Sequence, residues 1–350
     1  MQKILQVHRW PIWLAQLFGQ GKSFTANPLI GSALLNRLGL HVLRVLLARA
    51  SSWLRWQQLR GLASAEERQR FGRDGYLVIE DFLSPQQLQA IRDELQLLAD
   101  GELPHPPRQM TQGDTLTQRL LLDDSNLAQL PQVHAAVSSR AFQRRIQYCA
   151  GKLYRPLVYL QRIRNGFSQG RPDPQKTLHS DTFFPAVKAW LFLQDVSAEQ
   201  GPFTYIPGSQ RLSWKRLQWE YRKSIVGARL HDGYSEKGSL RADAADQAHM
   251  QLARPLSLTA RAGTLVIANT VGFHGRGQAQ AGASRLEIWA YSRHNPFNPL
   301  PGISSRLLHR LHNAWMQRDW RKKDQKAARR NGRASWYPIQ LRDMFDGLDD

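Results

Sequence analysis

The stretch Leu178-His179-Ser180-Asp181-Thr182-Phe183-Phe184-Pro185 constrains this chain more than any other. His179 and Asp181 stand two residues apart in a segment that reads as extended, and positions i and i+2 of a strand point to the same face. An imidazole and a carboxylate can therefore converge on one metal ion, which is two thirds of a facial triad. His274 is the candidate for the third ligand, in Gly272-Phe273-His274-Gly275-Arg276-Gly277 just after the apolar run Gly263-Thr264-Leu265-Val266-Ile267-Ala268-Asn269. Two His and one carboxylate on one face of an octahedron leave three positions open, which non-haem Fe(II) oxygenases use for a chelating co-substrate and dioxygen. The tripeptide alone is a weak motif: 11 His and 19 Asp in 350 residues give roughly 0.6 His-x-Asp matches by chance. Its context is what lends it weight.

At 350 residues the chain can bury a sizeable core, and one main domain with extensions is the preferred reading. Cys149 is the only cysteine, which excludes an intramolecular disulfide and a cysteine-based zinc site. The apolar residues after Met1 are interrupted by His8, Arg9, Gln16 and Gln20 without a small-residue cleavage site, so no secretory signal is read and a cytoplasmic location is expected. The formal net charge of +20 exceeds what a metal oxygenase needs and argues for an anionic partner.

Residues 1–65 carry no Asp or Glu. Within them Leu29 to Trp56 reads as one basic amphipathic helix, with Arg37, His41, Arg44, Ser51 and Arg55 on one stripe and Leu34, Leu35, Leu38, Val42, Val45 and Leu46 opposite. Its charges rule out a membrane span. One reading packs the leucine face on the core; the other lays the helix on an anionic membrane surface, helped by Trp10, Trp13, Trp53 and Trp56. Next come a strand at Gly75 to Ile79 and a helix capped by Ser84 with Pro85 and Gln87, running to about Ala99. Residues 101–118 read as a loop, followed by helices at Ser125 to Leu130 and Pro131 to Ala150. Strands are expected at Leu157 to Ile163, Ala189 to Val196, Phe203 to Ile206, Gly263 to Asn269 and Leu286 to Tyr291. Residues 215–254 form a long insertion of the kind that often serves as a lid. Arg306 to Arg333 is a second basic helix, whose bland reading is a solvated face.

Four stretches together resemble the phytanoyl-CoA dioxygenase family of Fe(II)/2-oxoglutarate oxygenases, over about residues 66–300. They are Phe71 to Ile79 with Asp81-Phe82-Leu83-Ser84, the His179-x-Asp181 stretch, Gly201-Pro202-Phe203-Thr204-Tyr205-Ile206-Pro207-Gly208-Ser209, and His274 followed by Arg285. The resemblance implies that Arg285 binds the far carboxylate of 2-oxoglutarate, a role that suits a permanently charged planar fork. It also places Gln161 and Trp190 in the 2-oxoglutarate pocket. Gln210 stands where the family often has His, and Ser180 where Gln is common between the ligands. Asp181 separates the chain from halogenating relatives, which lack that carboxylate.

The fold expected is α+β: a double-stranded β-helix, the cupin-like jelly roll, flanked by helices and carrying basic helical N- and C-terminal extensions. The division is residues 1–65, 66–300 and 301–350. The function implied is an Fe(II)- and 2-oxoglutarate-dependent dioxygenase that uses O2 to hydroxylate a C–H bond of a small or lipid-like, anionic substrate, releasing succinate and carbon dioxide. The metal ligands and catalytic residues are His179, Asp181 and His274. Peripheral contact with the inner face of an anionic membrane is the second partner expectation. The alternatives are a nucleic-acid demethylase, for which no interleaved basic-aromatic motif speaks, and a non-catalytic membrane-surface or nucleic-acid binding protein on a retained barrel.

Overall fold

A computed structural model describes residues 7–98 and 101–345. The N-terminal third holds α1 (Trp10–Leu17), α2 (Ala33–Arg37), α3 (Leu40–Gln58), α4 (Ala65–Asp74), β1 (Tyr76–Ile79), α5 (Pro85–Leu98), β2 (Arg108–Gln112) and β3 (Thr115–Leu121). Next come α6 (Asp124–Leu127), α7 (Pro131–Ser138), α8 (Arg140–Ala150), β4 (Leu157–Arg164), β5 (Val187–Phe192), β6 (Phe203–Tyr205), α9 (Trp214–Val226) and α10 (Ala244–Met250). The remainder is β7 (Leu256–Leu258), β8 (Leu265–Asn269), β9 (His274–Arg276), β10 (Ser284–Ser292), α11 (Arg306–Ala328), β11 (Tyr337–Pro338) and α12 (Leu341–Phe345).

Two antiparallel sheets result, ordered β1-β8-β5-β10-β4-β3-β2-β11 and β7-β6-β9, an arrangement consistent with a jelly-roll core. Strand alternation assigns every side chain of the larger sheet to one of two faces. Leu286, Ile288 and Ala290 of β10, with Val158 and Leu160 of β4 and Ala189 and Leu191 of β5, pack under α5, α7 and α8. The intervening residues, Tyr159, Trp190, Phe192, Val266 and Trp289, meet Phe203, Tyr205 and Leu258 of the smaller sheet. Each such aromatic or aliphatic side chain taken from water contributes about 1.5–3 kcal/mol. The polar members of the same inward rows, among them Gln161 and Arg285, are thereby committed to the space between the sheets.

Most expected elements form, with shifted ends. Ser84 caps α5 as read: its Oγ accepts from the Gln87 amide and the Gln87 side chain accepts from the Ser84 amide. The helix read over 131–150 breaks at Ser139, whose hydroxyl instead caps α8 by accepting from the Phe142 amide at 3.2 Å. The loop read over 101–118 is wrong. Residues 108–121 make the β2–β3 hairpin, paired from Arg108↔Arg119 to Gln112↔Thr115. Its polar composition hides a strand that packs through Leu116 and Leu120, both buried. The 215–254 insertion is largely helical, and Trp219, Leu240 and Met250 are buried with Phe24, Ile30 and Phe273. It is a packed layer behind the smaller sheet.

The N-terminal helix departs most from expectation. Gly39, at φ +95°, divides it into α2 and α3, a left-handed conformation that costs glycine little. Most of the leucine face does not pack on the core: Leu34, Leu38 and Leu46 are exposed and only Val45 of it is buried, whereas His41, Arg44 and Arg55 of the basic stripe are buried together with Ser52 and Ala48. The cations turn inward because backbone oxygens wait for them. Arg44 donates to the carbonyls of Leu17 and Gly21, and Arg55 to that of Asn298. His41 Nε2 lies 2.9 Å from the Glu220 carboxylate, which also takes the Arg216 guanidinium. Burial works to raise the Glu220 carboxyl, but Arg216 and His41 outweigh it and hold it down at about 2. A depressed carboxyl contributes stability that is present above its unfolded value and lost as pH falls through the folded one. Glu220→Gln should therefore cost about 3–5 kcal/mol near neutrality, because it strands a buried cation. The deficit should shrink as pH falls from about 5 to about 2, which urea unfolding of both proteins across that range will measure.

Candidate metal centre and co-substrate cavity

His179 and His274 are brought together by backbone. Each donates its amide to the other's carbonyl, at 2.9 and 3.0 Å, in an antiparallel bridge. The Asp181 amide is tied to the Thr270 carbonyl at 2.9 Å, so all three candidates are fixed by main-chain contacts between segments ninety residues apart in sequence. Gly272 permits the turn into His274, since a Cβ there would lie 1.9 Å from the Tyr205 hydroxyl, which instead reaches the Asn269 carbonyl at 2.8 Å.

Both rings are oriented by their inner nitrogens. His179 Nδ1 lies 2.8 Å from the Thr177 carbonyl and His274 Nδ1 2.9 Å from that of Gly272. A carbonyl can only accept, so each Nδ1 carries the proton and each Nε2 presents a lone pair. Those two Nε2 atoms are buried without a hydrogen-bond partner, and each stands 3.6 Å from Asp181 Oδ1. The donor atoms of the three residues all lie within 4.8 Å of one another. Two orphaned imidazole lone pairs converging on one carboxylate oxygen are unfavourable unless something cationic sits among them, and N2O donation suits a divalent first-row metal. The residues fit an iron(II) ion. Burial, and then the neighbouring His274, push the His179 imidazole down to about 4, so it is neutral and ready to ligate.

The surroundings are cationic. Lys188 Nζ is 2.8 Å from Asp181 Oδ2, and Lys22, from the segment before α2, donates to the Asp181 carbonyl. Against burial, which would raise it, Lys188 and His274 hold the Asp181 carboxyl well below its usual range. Beside the triad lies a cavity of about 290 Å³, lined among others by Gln161, Trp190, Phe203, Arg119, Arg276 and Arg285. Arg285 is buried; its Nε donates to Glu287 at 3.0 Å and one Nη donates to the carbonyls of Gln200 and Gly201. The other Glu287 oxygen accepts from Gln161, whose own oxygen accepts from Arg119 at 2.6 Å. Arg119 lies over the Trp289 ring at 4.0 Å. Burial lowers Arg119 and Arg276 to about 10, so both stay charged at neutrality. The result is a partly dry pocket with three guanidiniums facing a metal triad, the chemistry that receives a small dicarboxylate.

All six residues singled out from sequence, His179, Asp181, His274, Arg285, Gln161 and Trp190, meet at this one place. Arg119, Lys188 and Lys22 were not foreseen. Lys188 could have been, because it shares the face of Trp190 two residues on. Arg119 belongs to the hairpin read partly as loop, and nothing in sequence ties Lys22 to a site more than 150 residues away.

A two-His-one-Asp cluster between antiparallel sheets is the kind of site that a metal-dependent oxygenase uses. The phytanoyl-CoA dioxygenase family model matches residues 71–286, and the chain belongs to that family. It is an Fe(II)/2-oxoglutarate-dependent oxygenase, and its cofactors are iron and 2-oxoglutarate. No curated protein matches the chain. Among solved structures it is similar to the epimerase SnoN in complex with Fe3+, alpha ketoglutarate and nogalamycin RO, at 19% identity over 65% of this chain and 82% of that one, with a TM-score of 0.44. HygX from Streptomyces hygroscopicus with nickel and 2-oxoglutarate bound is 18% identical over 66% and 87%, TM-score 0.41. EctD from S. alaskensis with bound Fe is 18% identical over 66% and 77%, TM-score 0.41. At that distance none brings a substrate with it. A non-catalytic binding protein and a nucleic-acid demethylase are not favoured. No described helix is long and apolar enough to cross a membrane.

Proposed function

We propose that His179, Asp181 and His274 hold the iron, and that the enzyme hydroxylates a C–H bond of a small or lipid-like anionic substrate. One observation carries the reading: two buried, unpartnered Nε2 atoms aimed at a single carboxylate oxygen beside an arginine-lined cavity. When bound, iron(II) with 2-oxoglutarate and O2 supplies the oxidising power, coupling decarboxylation to succinate with oxidation of the substrate. The chain's part is to place and enclose. Arg285 binds the far carboxylate of 2-oxoglutarate through the Nη left over from Glu287 and the carbonyls. Glu287 and Gln161 hold that guanidinium in plane, and Trp190 and Phe203, 4.2 Å apart between ring centroids, close the pocket against water. Lys188 orients the Asp181 carboxylate so that one oxygen is left for the metal. Catalysis belongs to residues 66–300, with 1–65 and 301–350 flanking them, although Lys22 reaches in.

The cations around the pocket favour an anionic substrate over a neutral one. The test is succinate formation by iron-loaded protein, screened against anionic lipids, acyl thioesters and oligonucleotides. Stimulation by one class identifies it. Absence of any 2-oxoglutarate turnover, coupled or uncoupled, would refute the oxygenase assignment of these residues.

A further inference from the structure

Helix α3 is built inside out. A helix on a protein surface buries its apolar stripe and shows its charges to water. Here His41, Arg44 and Arg55 are buried, and the outward positions are Leu43, Leu46, Leu47, Ala50, Trp53 and Leu54, which follow one another at helical spacing without a single charge. Trp53 is 57% exposed and Leu43 55%.

The apolar surface does not stop with this helix. Arg44 clamps the end of α1 through the Leu17 carbonyl; α1 shows Ile12 and Leu14 to solvent, and Phe18 just after it is exposed too. At the other end Gln58 donates to the Pro299 carbonyl at 2.8 Å, which fastens an edge made of exposed Leu300 and Ile303. From there α11 contributes Leu307, Leu311 and Trp315, all exposed. Exposed apolar side chains gathered on three helices and a loop in this way mark a surface that meets something apolar.

Charge selects the occupant. Residues 1–65 contain no Asp or Glu, and neither do residues 288–318, so these segments put no acidic side chain on the face to repel an anionic surface. A second copy would press two such surfaces together. An anionic bilayer matches both properties, with acyl chains for the leucines and tryptophans and headgroups for Arg37 and Arg306 at the border, both exposed. No described helix could cross, so the face lies on the membrane. Beside it opens a cleft of about 610 Å³ whose rim holds Ile303 and Leu308 and whose wall holds Lys152, Arg155, Arg293 and His312, with no acidic residue. Its inner residue Tyr291 stacks on Trp289 of the metal cavity, 5.9 Å between centroids, and pairs in register with Lys188, the partner of Asp181.

We propose that this face docks the enzyme on an anionic bilayer and that the cleft takes the anionic headgroup of a lipid substrate from it. Docking stands on the surface alone; the lipid as substrate rests on the oxygenase reading above.

The experiment floats the full-length, iron-free protein with vesicles of phosphatidylcholine alone or mixed with phosphatidylglycerol, and compares Leu46→Glu/Leu47→Glu with a control, Leu97→Glu. Leu97 is 84% exposed on α5, which is not among the helices that build the face. The wild type and the control should bind the anionic vesicles, and the double variant should lose at least about tenfold in affinity with its melting temperature unchanged. Wild-type protein that ignores anionic vesicles, or a double variant that binds as well as wild type, overturns docking. So does a wild-type dimer in sedimentation that the double variant converts to monomer without any vesicle binding, since the face is then covered by a second copy. With iron restored, succinate formation should rise with anionic vesicles in wild type and fall to the basal rate in Arg155→Glu. A vesicle-independent rate in protein that docks refutes the lipid substrate and leaves docking in place, whereas no succinate under any condition is a failure of the oxygenase reading.

Discussion

Iron binding should disappear when either His179 or His274 is replaced by Ala, while the fold survives. Each ring makes one hydrogen bond, through Nδ1 to a neighbouring carbonyl, so truncation forfeits that bond and some packing, about 1–3 kcal/mol. The loss to the metal is far larger. Residues that merely orient a ligand already cost 10–100-fold in metal affinity when removed, so deleting a ligand should exceed about 100-fold. Anaerobic Fe(II) titration alongside thermal melting separates the two effects. Stoichiometric iron in both variants would dismiss the triad.

The second large effect is expected at Arg285. Arg285→Lys should raise the 2-oxoglutarate KM by about 10–100-fold with iron affinity unchanged, because hydrogen bonds to a charged group contribute about 1.5–3 kcal/mol and lysine keeps the charge without the fork. Lys is preferred to Ala because Glu287 is fully buried and would be left with a weaker set of partners. Arg276 is the internal control. Its guanidinium is 2.6 Å from Asp173, a partner outside the Glu287 network. If KM is unmoved in Arg285→Lys and rises in Arg276→Lys, the carboxylate site belongs to Arg276.

The chemistry of this chain was more legible than its surfaces. His179 and Asp181 could be paired because strand periodicity is local, and Arg285 and Gln161 followed from the resemblance and from the same alternation. The β2–β3 hairpin was missed because Arg108-Gln109-Met110-Thr111-Gln112 has no apolar alternation to read. Its place is fixed by Arg119 stacking on Trp289 and by the ladder to β4. Of the two readings of α3, the one that packed its leucine face on the core failed for a deeper reason. Periodicity divides a helix into two faces but does not say which faces inward. That choice was made by carbonyls at Leu17, Gly21 and Asn298, none of which has a signature in sequence.

Those carbonyl contacts also set an order of events. The acceptors of Arg55 and Gln58 are Asn298 and Pro299, more than 240 residues downstream, and Phe183 and Phe184, on which the inner side of α3 packs, are also far away. During synthesis α3 therefore leaves the ribosome long before its seat exists. The Leu17 and Gly21 carbonyls that hold Arg44 precede it in the chain, but Arg55 must wait in water for Asn298 until most of the enzyme has been made, so the C-terminal half of α3 is among the last parts to be seated.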